Sequence, residues 1–185
     1  MIHSVLKFFK KQLNEAFRNQ FGVNEDMVVY LGADQLEMAD LQKDRVSLAM
    51  INVEEERKIK SYPSRPNLPN IYLYLYLLFV CRFSNYEDSG KYLSCTINFF
   101  QKNNTFERTS YPNLGEGLNK LVAEMITLPL SEQDHIWNAL RTSYQPSVLY
   151  RIKLITFKEE TVVTSEPISG LDTSLKKEDQ PQLHR

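Results

Sequence analysis

The chain has 185 residues, enough for one domain whose core removes about 70% of the unfolded surface from water. Its 22 basic and 23 acidic side chains leave a formal net charge of -1, which excludes a global field that would recruit nucleic acid or an anionic membrane. The two cysteines, Cys81 and Cys95, sit in apolar segments without CxxC spacing or a nearby histidine, so they read as reduced, buried thiols.

From the N-terminus, Ile2, Leu6, Phe9, Leu13, Ala16 and Phe17 recur at helical spacing, with Lys7, Lys10, Lys11, Gln12 and Arg18 on the other side. This predicts an amphipathic helix closed near Gly22; lysines interrupt its apolar residues too often for a signal peptide. "MVVYLG", Met27 to Gly32, reads as a short strand and "DRVSLAMINVEEE", Asp44 to Glu56, as a second. A polar stretch with three prolines follows, and its length makes residues 57–70 either a functional loop or a disordered arm.

"NIYLYLYLLFVCRF", Asn70 to Phe83, is the most apolar run. Its eleven apolar residues from Ile71 to Cys81 fall short of the roughly 20 that a membrane-spanning helix needs. Tyr72, Tyr74 and Tyr76 alternate with leucines, a period of two that belongs to a strand. Leu73, Leu75 and Leu77 are expected to anchor the core. The tyrosine face is expected to meet either a second helix layer or a neighbouring subunit, because buried hydroxyls need polar partners.

Ser84 or Asn85 is placed as the N-cap of a second helix, with Tyr86, Leu93, Ile97 and Phe100 as one apolar stripe and Tyr92, Cys95 and Phe99 beside it. "NKLVAEMITLPL" fits a helix by its spacing and a strand by its β-branched finish before Pro129, and is read as a strand. Ser131 is expected to cap a short helix, "SEQDHIWNALR", anchored by Trp137. "SVLYRIKLITF", Ser147 to Phe157, alternates like an edge strand, and its Tyr150, Arg151 and Lys153 join the candidate interface. From Glu159 onward the chain has little to bury. The expected organisation is one compact α+β domain over residues 1–158, a mixed sheet covered by helices, followed by a polar tail, 159–185.

No catalytic, cofactor or metal site emerges. His3 and His184 lie near the ends of the sequence, and His135 has no nucleophile motif beside it. "GEG" at Gly115 to Gly117 is too short for a phosphate loop, and Glu54 to Glu56 lacks the alternating oxygen ligands of a calcium loop. The aromatics near Lys91, Lys102 and Arg108 are explained by the core at helical spacing, without a base-stacking role.

The segments "LPNIYLYLYLLFVCRFSNYEDSGKYLSCTINFFQKNNTF" and "LGEGLNKLVAEMITLPLSEQDHIWNALRTSYQPSVLYRIKLITF" resemble the cap, or tail-terminator, proteins of extracellular contractile injection systems, particles of the antifeeding-prophage type. The matching features are the tyrosine and leucine strand, "F-S-x-Y-E" at Phe83 to Glu87, "INFFQKN", the "L-x-E-G" turn at Leu114 to Gly117, one tryptophan in a short helix, and "Y-x-P-S-V-L-Y" at Tyr144 to Tyr150. Gly115 departs from the proline commoner in such a turn.

The resemblance implies a structural protein, not an enzyme and without cofactors. It would end inner-tube polymerisation and anchor the last sheath layer at the end distal to the baseplate. Implied partners are further copies of itself in a six-fold ring and the tube and sheath proteins, with no nucleic acid and no membrane insertion. Implied location is the bacterial cytoplasm during assembly, then the finished particle. Tyr72, Tyr74, Tyr76, Tyr150, Arg151 and Lys153, with Val162 and Val163 in a tail able to add a strand to a partner, form the candidate assembly interface. Leu73, Leu75, Leu77, Phe99 and Trp137 are the candidate core anchors. The alternatives are a baseplate or other assembly component of the same particle, or a small-ligand-binding α+β module lined by the tyrosines.

Overall fold

A computed structural model describes residues 1–31, 43–56 and 73–156. The 57–70 loop, the 159–185 tail, Tyr72, Val162 and Val163 lie outside the described residues. The first helix, α1, is Ile2–Phe21 and buries Val5, Phe8, Phe9, Leu13 and Phe17 along one stripe. Gly22 ends it in the left-handed conformation at φ 66°, its amide donating to the Arg18 carbonyl, a termination that glycine permits without steric cost.

Six strands form one sheet: β1 (Val28–Tyr30), β2 (Arg45–Glu55), β3 (Leu73–Arg82), β4 (Thr105–Glu107), β5 (Leu118–Ile126) and β6 (Ser147–Thr156). The spatial order is β1-β2-β3-β6-β5-β4. β1 runs parallel to β2 and every other pair is antiparallel. The strand Ser147–Thr156 was expected at an edge but lies between β3 and β5. Its alternating charges mark one exposed face, while both of its backbone edges are paired; side-chain polarity reports the face and says nothing of the edge. Among the described residues the edges are the three-residue β1 and β4, and short edges limit unwanted strand addition.

The sheet is curled around α1. Asn14 accepts a hydrogen bond from the Val28 amide of β1 at 2.9 Å, while the rings of Phe8 and Phe9 each sit 5.3 Å from Phe106 of β4. Residues 8 and 14 are separated by only ~9 Å along a helix, whereas six flat strands would span ~24 Å, so the two edges must bend toward each other to reach one helix.

The second helix, α2 (Tyr86–Lys102), starts at Asn85, whose side chain accepts from the Glu87 amide; Glu87 and Asp88 complement the dipole in its first turn. Its buried stripe is Ser89, Tyr92, Thr96 and Phe100, one step around from the expected one, and Tyr86 is 77% exposed. Two small polar residues carry this stripe because each has a local partner: Thr96 Oγ1 donates to the Tyr92 carbonyl and Ser89 Oγ accepts from the Phe83 amide. Large apolar side chains were the sequence signal, and close helix-to-sheet contact selected small ones.

Between them α1 and α2 cover the inner face, where Leu75, Leu77, Phe79 and Cys81 of β3 meet Phe9, Phe17, Phe100 and Phe106 in the main core. Leu73 is partly buried at the strand's start, and Phe99 packs at the core's margin, stacked on Phe106 at 5.9 Å. Burial pushes the Cys81 thiol up to about 12, so it stays protonated and unreactive. A third helix, α3 (Leu130–Ala139), lies on the outer face through Trp137, which packs with Ala49, Leu78, Val80 and Leu149. Pro129, not Ser131, occupies its N-cap position, and no side chain caps it. Among the described residues no helix is long and apolar enough to cross a membrane.

Candidate assembly interface

Among the described residues the outer face is covered at one end only. α3 has 10 residues, ~15 Å of helix, against the ~33 Å of a 10-residue strand such as β3. It therefore shields Leu78 and Val80, with Tyr76 packed at the margin of that cluster and Tyr74 beyond it. A β-bulge between Met50 and Asn52 sets the register there, placing Asn52 opposite Tyr76 and Glu54 opposite Tyr74. Across β3, Tyr74 faces Lys153 and Tyr76 faces Arg151 of β6, and β5 places Glu124 opposite Arg151.

Alternating charge and tyrosine thus run across four strands. The Tyr76 hydroxyl donates to Glu54 Oε2 at 2.5 Å, and this bond to a carboxylate, with some burial, holds its pKa above the ordinary tyrosine value. Lys153 donates to Glu56 at 2.8 Å and to the Tyr74 hydroxyl at 3.3 Å; the bond to Glu56 raises its pKa. Arg151 donates to Glu124 at 2.7 Å, and that bond strengthens its hold on its proton. Both cations also lie over the Tyr74 ring, at 5.0 Å for Arg151 and 5.4 Å for Lys153. The pattern continues outward in the Lys120–Glu107 pair between β5 and β4 at 3.0 Å.

The structure thus brings Tyr74, Tyr76, Arg151 and Lys153 together. Tyr150 is a correction: it is 3% exposed on the inner face, stacked on Phe100 with centroids 4.0 Å apart, and burial pushes its hydroxyl up to about 12. Neighbours along a strand point to opposite faces, so Tyr150 and Arg151 could not share a surface. The sequence reading missed Glu54, Glu56 and Glu124. The signal for Glu54 and Glu56 was that glutamates two apart share a face, as do the cations Arg151 and Lys153, which lie across the tyrosine strand on β6. Among the described residues no group of His, Cys, Asp and Glu could hold a metal ion, and His135 is exposed on α3.

Solved terminators of contractile particles share this fold. The chain is similar to a sheath/tube terminator of the extracellular contractile injection system PVC in its extended state, with 15% identity and a TM-score of 0.52 over 93% of this chain and 65% of that one. It is similar to the tube-terminating cap of the anti-feeding prophage, with 16% identity and a TM-score of 0.51 over 89% of this chain and 59% of that one. The chain therefore spans less than two thirds of the length of either. The family model described as the Pvc16 N-terminal domain matches residues 4–170, and the chain belongs to that family. No curated protein is significantly similar to it.

Proposed function

We propose that the protein is a structural terminator of a contractile injection system. It stops growth of the inner tube and anchors the last sheath layer at the end distal to the baseplate. The observation that carries this reading is family membership across residues 4–170, on a fold shared with two solved caps. The role asks for contacts and no bond-making chemistry. A helical polymer grows because each ring offers unpaired edges and apolar patches to the next; a terminator satisfies them on one side and offers none on the other. The three-residue edges of this sheet suit that task.

The Tyr74, Tyr76, Arg151 and Lys153 face is the docking surface in this reading. Its charges are paired within the protomer, so it is stable in water before assembly. Its tyrosine rings and its arginine suit it to a partner protein. Copies arrange in a six-fold ring against the tube and sheath proteins, assembling in the bacterial cytoplasm and remaining in the finished particle. The test is capping in vitro: the protein added to polymerising inner-tube subunits is expected to shorten the tubes as its concentration rises. A tube-length distribution that does not respond discards the reading.

A further inference from the structure

The outward side of α1 forms a basic groove against the β1 edge. Lys7, Lys10, Lys11 and Arg18 line an open cavity of about 520 Å³, with Tyr30 and Asp26 opposite. Arg18 bonds Asp26 at 2.6 Å, Lys10 stands 3.8 Å from the same carboxylate and 5.2 Å from the Tyr30 ring centroid, and Lys11 pairs with Glu15 at 3.8 Å. Lys7 makes no ion pair among the described residues. Asp26 and Glu15 thus leave two positive charges of this groove uncompensated.

We infer that this groove holds residues 159–172 of the same chain. Charge is the first reason: Glu159, Glu160, Glu166 and Asp172 lie in a run, 159–175, without a lysine or arginine. Position is the second. Thr156, the last described residue, pairs with Leu118, and Leu118 neighbours Gly115, whose added Cβ would lie 2.6 Å from Ser4 in the first turn of α1. The acidic run therefore leaves the sheet beside the N-terminal end of the basic stripe. From Ser4 to Arg18 the helix rises ~21 Å, and the residues from 157 to 172 extend to at most ~53 Å, so the run reaches along the whole groove. The third reason is that the family match runs to residue 170, past the end of β6, and so includes most of this segment in the domain. A tethered segment meets its site at an effective concentration near the millimolar range, so contacts too weak to hold a free peptide count here. This inference stands independently of the terminator reading.

The test uses the full chain with Ser165→Cys carrying a nitroxide and Cys95→Ser removing the more accessible native thiol; Cys81 is fully buried. Amide signals of residues 3–18 are expected to lose intensity relative to the reduced label. The loss is expected to disappear in Lys7→Glu/Lys11→Glu, to return when Glu159→Lys/Glu160→Lys is added, and to recede at 1 M salt, where screening acts within ~3 Å. Lys7 and Lys11 are exposed, so the fold survives their reversal. Full intensity along α1 in the labelled wild-type background overturns the inference. So does loss seen only between labelled and unlabelled copies in a mixture, which would mean that a second copy supplies the segment.

Discussion

Replacing Arg151 by Ala separates a docking surface from a structural one. In the protomer Arg151 bonds Glu124 at 2.7 Å, with side chains 33% and 59% exposed, and stands 5.0 Å over the Tyr74 ring. An ion pair that wet contributes about 0.2–1 kcal/mol, and an exposed cation–π contact about 0.5–1 kcal/mol. Arg151→Ala should therefore cost about 1–2 kcal/mol, a fall in Tm of about 2–8 °C for a domain of this size. The folded protein should nevertheless fail to cap tubes. Thermal unfolding by circular dichroism and the tube-length assay measure the two effects on one sample. An unfolded variant, or a loss of about 4 kcal/mol or more, would refute the energetic reasoning; a variant that caps normally would refute the assignment of the surface.

Trp137→Ala should cost about 3–5 kcal/mol, because Trp137 is the one buried residue of α3, and hydrogen exchange should rise first in that helix. Gly115 sits at φ 118°, and Gly115→Ala should cost about 1–3 kcal/mol in denaturant unfolding. Ser4→Gly should recover only part of that loss, since it removes the 2.6 Å clash and leaves the backbone strain. Stability should be constant below pH 9 with respect to the buried thiol and phenol, and decline from pH 9 toward 12. Cys81 and Tyr150 keep their protons in the fold up to about 12, while the unfolded chain releases them near 9.0 and 10.0. Tyr150→Phe should flatten the decline above pH 10, as followed by urea midpoints; an unchanged slope would reject the burial of that hydroxyl.

Much of this fold is legible from periodicity, because α1 and β3 each repeat one apolar spacing over many residues. What stayed hidden depended on partners distant in sequence. Ser147–Thr156 looks like an edge strand because Arg151 and Lys153 are charged, yet its neighbours are set by topology, which alternation does not encode. β4 is three residues long, too short for any period, and its Phe106 becomes central only when the sheet curls back to α1. The tyrosine strand posed the same problem in milder form: alternation separates its two faces but not the length of the helix above one of them. Leu78 and Val80 received α3, Tyr76 packs at the margin of that cluster and bonds Glu54, and Tyr74 received Arg151 and Lys153. Gly115 shows why proline would not serve in this turn: proline holds φ near -65°, whereas this backbone stands at 118°.

The most direct test of the terminator role is to remove the protein from cells that make the particles and measure particle length and end structure by electron microscopy. Tubes that run on past the normal length, with ragged or unsheathed distal ends, are the predicted result. Particles of normal length with an intact distal cap would contradict it.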